Sequence, residues 1–210
     1  MSGATGTLFV ICAPSGAGKS TLVARLLEAV PGLAFSVSWT TRPPRPGEVD
    51  GRAYRFTDEP GFRARIAAGE FLEWAEVHGR LYGTARADVD QALAAGRDLL
   101  LDIDVQGAEQ VRRSRLPSVS IFILPPDRAT LEARLRGRAT ENEAALARRL
   151  GNAAREIARW PEFDYLVVND ELERAAAELT AIVVAARRAR SSMAERAAAI
   201  ARTFGVEEQG

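Results

Sequence analysis

The residues best suited to chemistry begin at Ala13. The run Ala13-Pro-Ser-Gly-Ala-Gly-Lys-Ser20, continued by Thr21, follows the spacing G-x-x-x-x-G-K-[ST] at every position except the first, where alanine stands for glycine. Gly16 and Gly18 let the backbone turn its N–H groups inward around phosphate oxygens. A helix starting here presents its positive end to an anion. Lys19 is then placed to reach a transferring phosphate, and the Ser20 hydroxyl to ligate a magnesium ion. Of 28 basic residues, Lys19 is the one lysine and the others are arginine. A chain that uses arginine elsewhere keeps a compact point charge at this loop position. An ordinary glycine-rich strand–helix turn does not explain that choice.

A second candidate group is acidic. Asp102 and Asp104 close an apolar run, Leu99-Leu-Leu-Asp-Ile-Asp104, where ligands bind in open parallel sheets. Glu73 lies between Leu72 and Trp74 and, taken alone, reads as the polar side of an alternating strand. Arg42 and Arg45 in a Pro-rich loop read, alone, as solvated charges, as do Arg134 and Arg138 at i, i+4 on a helix. His78, the single histidine, reads as a surface loop residue without a metal role. Phe163 and Tyr165 read as core.

These residues need elements to position them. Leu8–Ala13 is an apolar run of strand length, as for a strand covered on both faces. Leu22, Val23, Leu26, Leu27 and Val30 then form one face of a helix that Pro31-Gly32 stops. Leu99–Asp104, Val119–Leu124 and Tyr165–Val168 read as further buried strands, followed by helical patterns over 106–114, 128–136 and 171–200. Strand-then-helix repetition predicts an α/β fold with a parallel sheet core flanked by helices. Residues 34–87, with Tyr54, Phe56, Phe71, Trp74 and Tyr82, break the rhythm as a smaller sheet-containing insert. Residues 127–160 form two arginine-rich helical stretches with Asp127 and Asn142 as caps, either a solvated surface or a lid.

Bulk properties restrict the function classes. A chain of 210 residues makes one compact unit, and 28 acidic residues cancel the basic ones, so nothing calls for nucleic acid or an anionic membrane. The longest apolar stretch is too short to span a bilayer, and no basic residue precedes it as in a signal peptide. Cys12 is the one cysteine, which rules out an internal disulfide and reads as a buried inert thiol. The expected setting is the cytoplasm. A homo-oligomer is left open by the basic helix around Arg187–Arg190.

Several further motifs occur in register: Phe35-Ser-Val-Ser-Trp-Thr-Thr-Arg-Pro-Pro-Arg-Pro-Gly-Glu48, Gly51-Arg-Ala-Tyr54, Glu70-Phe-Leu-Glu-Trp74, Tyr82-Gly-Thr84, Leu101-Asp-Ile-Asp-Val-Gln-Gly107, Arg134-Leu-Arg-Gly-Arg138 and Val168-Asn-Asp170. Together they resemble the guanylate kinase family over nearly the whole chain, with a C-terminal helix similar to the bacterial members. The resemblance implies a P-loop nucleoside-monophosphate kinase fold that moves a phosphoryl group from ATP to GMP with Mg²⁺. It implies a core of about 5–36, 88–127 and 160–210, a GMP-binding insert with a mixed sheet over about 37–87, and a helical lid over about 128–159. By position, Arg42, Arg45, Tyr54 and Tyr82 match the family's clamp on the GMP phosphate, and Ser38, Glu73, Thr84 and Asp104 its guanine readers. Asp102 matches a carboxylate near the metal, held through water. Ser20 matches a metal ligand. Lys19, Arg42, Arg134, Arg138 and Arg149 match the catalytic cations. Ala13 through Thr21 (Ala13, Pro14, Ser15, Gly16, Ala17, Gly18, Lys19, Ser20, Thr21) and Asn169 match the ATP side.

The chemistry agrees independently. Guanine presents N1–H and N2–H₂ donors, which call for carboxylate acceptors. Two arginines and two tyrosines suit a phosphate dianion. Two departures from the family pattern stand out: Ala13, and Trp39 where a small polar residue is expected, close enough to the guanine pocket to alter its shape. Two alternatives remain at this stage: a P-loop kinase for another phosphorylated acceptor such as a ribose bisphosphate, and a non-catalytic module of the same shape.

Overall fold

The structure, a computed structural model, describes residues 5–77, 79–137 and 143–205. In chain order the strands are β1 (Leu8–Cys12), β2 (Leu33–Phe35), β3 (Trp39–Thr40), β4 (Arg55–Phe56), β5 (Phe71–Val77), β6 (Arg80–Ala85), β7 (Asp98–Asp102), β8 (Ser118–Leu124) and β9 (Tyr165–Val168). The helices are α1 (Lys19–Ala29), α2 (Glu59–Ala67), α3 (Arg86–Ala94), α4 (Val105–Arg113), α5 (Arg128–Arg136), α6 (Glu143–Ile157), α7 (Leu172–Ala186) and α8 (Arg190–Thr203).

Five strands form a parallel sheet in the order β2-β7-β1-β8-β9, with β1 at its centre. The pleat of β1 explains its unbroken apolar run. Phe9 and Ile11 pack into one layer with Leu22 and Leu26 of α1 and Leu179 and Val183 of α7. Leu8, Val10 and Cys12 pack into the opposite layer with Val89 of α3 and Val111 of α4. Every residue of β1 therefore meets a helix, as expected of a doubly covered strand. Cys12 is buried and donates to the Asp104 carbonyl at 3.4 Å, and burial pushes its thiol well up, which leaves it inert.

A second sheet, ordered β4-β3-β6-β5, lies in the 37–87 segment; β3 and β4 pair in parallel and the other pairs are antiparallel. It is a mixed sheet, as the resemblance implied. The α5–α6 pair carries a small core of its own around Leu131, Leu135, Leu146 and Ala153. The Asp127 carboxylate caps α5 by accepting from Thr130 N at 2.6 Å, as expected; Asn142 lies outside the described residues. No helix among the described residues is long and apolar enough to cross a membrane.

Three expectations are corrected. The helical pattern over 171–200 is two helices, because the chain turns at Arg187–Ala189. Arg187 is held by Asp98 Oδ2 at 2.6 Å and the Pro31 carbonyl at 3.1 Å, and the Ser192 hydroxyl takes the Ala186 carbonyl that a continuing helix would use. The apolar run 99–104 ends as a strand at Asp102, and Asp104 is the N-cap of α4, accepting from Gly107 N at 2.8 Å. Tyr165 is not core: β9 is the sheet's outer edge, so Val167 is buried while Tyr165, Leu166 and Val168 are about 40% exposed. Phe163 does pack on the core, against Phe122.

Candidate active site

The glycine-rich loop runs from the end of β1 into α1. Gly16 and Gly18 both have φ of 91°, a region only glycine enters without strain, and Gly18 is the N-cap of α1. Their missing side chains also make room. A Cβ on Gly18 would lie 2.3 Å from Asn169 Nδ2, and one on Gly16 2.8 Å from Leu135 Cδ2. No side chain caps α1 and no acid sits in its first turn, so its leading N–H groups remain available to an anion. Ala13 packs against the core without disturbing the loop's glycines.

Lys19 heads α1 and crosses to the end of β7, where Nζ donates to the Ile103 carbonyl at 3.0 Å and pairs with Asp102. Burial works against its charge, but Asp102, with Asp104 behind it, outweighs burial and raises its pKa. Ser20 follows, exposed at the helix start. On the other flank Asn169, at the end of β9, donates to the Ala17 carbonyl at 2.7 Å. Its own carbonyl accepts from Arg134 Nη2 at 2.9 Å. Arg134 Nη1 is buried and has no hydrogen-bond partner among the described residues. These groups border an open depression of about 460 Å³ with Gly16, Gly18 and Thr21. Arg149 of α6 reaches the Ser15 hydroxyl at 3.1 Å. Arg138, like His78, lies outside the described residues.

Between the two sheets lies a cavity of about 270 Å³. Lys19, Asp102 and Asp104 line its floor, and Ser38, Tyr54, Glu73 and Tyr82 its opposite wall. Glu73 is 4% exposed. Burial pushes its carboxyl up to about 7, the Asp104 charge adds to the rise, and the neighbouring Thr84 hydroxyl and backbone oppose it. Thr84 faces Glu73 across β5–β6; its hydroxyl is buried and makes no well-aligned hydrogen bond of its own among the described residues. Glu73 and Asp104 thus face one cavity, while Thr84 pairs with Glu73 across the strands and does not line it.

The arginine loop stands beside Tyr54 and Tyr82 of the cavity, and neither Arg42 nor Arg45 lines it. Tyr54 packs edge-on to Tyr82 at 5.9 Å, and the Arg42 guanidinium sits 5.1 Å over the Tyr54 ring. Burial, and Tyr82 beside it, raise the Tyr54 pKa, keeping the hydroxyl a donor. Arg42 Nη2 bonds Glu48 Oε1 at 2.8 Å, and Arg45 N bonds Glu48 Oε2 at 2.8 Å. The Arg42 hydrogen bond is the main reason the Glu48 carboxyl is lowered. Glu48, part of the same sequence motif, thus accepts from both arginines of the loop. The Arg45 side chain is exposed and does not line the cavity.

Trp39 departs from expectation. It does not line the cavity; its ring lies under the guanidiniums of Arg65 (4.0 Å) and Arg55 (5.6 Å) on the far face of β3. A larger groove of about 810 Å³ between α5, α6 and the end of β8 is lined by apolar residues such as Leu131, Leu146, Leu150 and Ile157 and holds none of the groups above. Sequence reasoning also missed Glu156, two turns beyond Arg149 on α6. Burial raises its carboxyl, and the Ser15 backbone opposes the rise.

The chain's similarity to known proteins matches this geometry. The family model described as guanylate kinase matches residues 5–186. A guanylate kinase of Aromatoleum aromaticum is 54% identical over 182 residues, covering 87% of this chain and 89% of that relative. One from Bordetella pertussis is 48% identical over 206 residues, covering 98% of this chain and 96% of the relative. The crystal structure of guanylate kinase from Anaplasma phagocytophilum superposes with a TM-score of 0.76 at 33% identity, covering 98% of each chain. A family model matching residues 5–186, and relatives about half identical along almost the full length, establish that the chain belongs to the guanylate kinase family.

Proposed function

We propose that the family's reaction, transfer of the γ-phosphoryl group of ATP to GMP to give ADP and GDP, runs across the cleft between the two sheets. A GMP phosphate oxygen attacks the γ-phosphorus, and the bond to the ADP oxygen breaks. Such transfer needs positioning and positive charge more than covalent help. The second sheet, about 37–87, is taken as the acceptor-binding unit, the α5–α6 pair, about 128–159, as the lid, and the remainder as the core.

Glu73 and Asp104 accept from guanine N1–H and N2–H₂, with Ser38 and Thr84 completing the base contacts. Tyr54, Tyr82, Arg42 and Arg45 hold the GMP phosphate, and Glu48 keeps the arginine loop ordered until a phosphate replaces its carboxylate. The loop from Ala13 to Thr21, with Asn169 beside it, binds ATP. Lys19, Arg134, Arg138 and Arg149 neutralise charge on the transferring group. Closing the cleft would exclude water and so limit ATP hydrolysis.

The donor set suits magnesium. The exposed Ser20 hydroxyl and the Asp102 carboxylate are hard oxygens, and no cluster of three or more acidic, histidine or cysteine groups exists among the described residues to cage another metal. Ser20 would ligate Mg²⁺ directly and Asp102 through water. The ion supplies charge neutralisation on the phosphates. ATP and GMP as substrates make the cytoplasm the proposed setting.

The observation that carries this reading is Glu73, an almost fully buried acid that lines, with Asp104, the same cavity as Lys19 of the phosphate loop. A buried carboxylate without matching donors is costly, so a base lacking those donors is rejected. The test is diphosphate formation from ATP with GMP, AMP, CMP or UMP. Selective use of GMP supports the assignment; equal use of AMP would overturn the base-reading roles.

A further inference from the structure

The buried carboxyl at the base end of the cavity owes its position to a helix that does not itself need to touch the base. Glu73 belongs to β5, the edge strand of the second sheet, while Asp104 caps α4 of the core. One comes from a sheet edge and the other from a helix cap, so something must hold them in register. Helix α4 packs along β5 and meets it at two residues one turn apart, Gly107 and Gln110.

At Gly107 the contact is through a missing side chain. A Cβ there would lie 2.4 Å from Glu73 Oε2, 3.2 Å from Glu73 Cδ and 3.3 Å from Ile103 Cδ1. The first distance is far inside van der Waals contact, so a side chain here would force the Glu73 carboxylate to shift. The Gly107 N–H meanwhile donates to Asp104 Oδ1 at 2.8 Å. One residue therefore touches both carboxyl groups. Its φ is not positive, so no turn geometry demands glycine here. In the middle of an ordinary helix alanine is the better residue.

Gln110 supplies the second contact. Its Oε1 accepts from Trp74 N at 3.1 Å and its Nε2 donates to the Trp74 carbonyl at 2.6 Å. An edge strand leaves these outward backbone groups unpaired. The side-chain amide takes both, standing in for a neighbouring strand at the residue next to Glu73.

We propose that Gly107 and Gln110 are positioning residues for base selection: the glycine leaves the space that the Glu73 carboxylate occupies, and the glutamine clamps β5 beside it. This rests on the reading of Glu73 as a guanine acceptor. Neither residue is catalytic.

The experiment compares Gly107→Ala, Glu73→Asp, their double variant, Glu73→Gln and Gln110→Ala, with KM for GMP and for ATP, kcat and a thermal melt for each. Gly107→Ala is expected to raise KM for GMP about 10- to 100-fold, the cost of one hydrogen bond to a charged acceptor, with KM for ATP within about twofold of the parent. In the Glu73→Asp background, where the carboxylate is withdrawn from the added methyl, the same change should cost only a small fraction of that factor. Gln110→Ala, which adds no clash, should raise KM for GMP several-fold and leave ATP alone. Equal losses from Gly107→Ala in both backgrounds, or parallel losses for GMP and ATP, would overturn the positioning role. If Glu73→Gln costs GMP affinity while Gly107→Ala and Gln110→Ala do not, the positioning role alone fails. If Glu73→Gln leaves GMP affinity intact, the base-acceptor reading fails, and the inference with it.

Discussion

Replacing Glu73 by Gln should have opposite effects on binding and on stability. The Glu73 carboxyl is raised from its ordinary 4.5 to about 7, chiefly by burial. That difference corresponds to about 3 kcal/mol favouring the protonated form in the folded chain. A raised acid stabilises the fold at pH values below its unfolded value near 4.5, and this contribution is lost as pH rises through about 7. Glutamine cannot ionise. The variant should therefore match the parent at pH 4 and be more stable than it at pH 8, by up to about 3 kcal/mol. GMP reverses the preference, because guanine donors need the ionised carboxylate. With a pKa of about 7 the acceptor is about one-tenth ionised at pH 6 and about nine-tenths at pH 8. The parent's GMP affinity should thus strengthen about tenfold between those values, apart from the titration of GMP itself. Taking the ratio of variant to parent KM at each pH cancels that titration. The ratio should climb with pH toward about 10- to 100-fold, the worth of a charged hydrogen bond. A flat ratio, or equal losses for ATP and GMP, would refute the argument that this buried acid reads the base.

Lys19→Ala should abolish transfer in a chain that still folds by circular dichroism, and near-parent turnover would dismiss the phosphate-loop assignment. Gly18→Ala forces a side chain to φ of 91° and against Asn169 Nδ2; it should raise KM for ATP and cost about 1–3 kcal/mol in a denaturant melt, with KM for GMP little changed. Trp39→Ser removes a ring stacked under Arg65 and Arg55 on the far side of the sheet; it should lose about 1–2 kcal/mol of stability without altering GMP selectivity, and a selectivity change would return Trp39 to the pocket wall.

The phosphate loop was legible because all of its physics is local. A buried strand, two glycines, one lysine and an amphipathic helix lie within some two dozen consecutive residues, and no distant partner is needed to interpret them. The Asp127 cap of α5 was legible for the same reason, since its bond to Thr130 N spans three residues. The roles of Glu73 and Asp104 as base readers came from a motif resemblance: Glu73 alone reads as the polar side of an alternating strand, and Asp104 alone marks only a strand end where ligands bind.

What stayed hidden depends on partners far away in the chain. Strands β3 and β4 are two residues each and β2 is three, too short for any periodicity to show; β2 exists through pairing with β7, β3 through pairing with β6, and β4 through pairing with β3. Trp39 turns away from the cavity because β3 pairs with Gly83 on one side and Arg55 on the other, which sends its ring toward Arg65 of α2. Tyr165 and Leu166 read as core since their strand is apolar, but its place at the end of the sheet order leaves one side without a neighbour. The sequence by itself determined the phosphate loop and the alternation of strands and helices, since these follow from residue type and short spacing. Only the tertiary structure decided which strands are edges, which way a two-residue strand faces, and that Gly107 leaves the space for Glu73, because each of these is a contact between segments that sequence spacing does not encode.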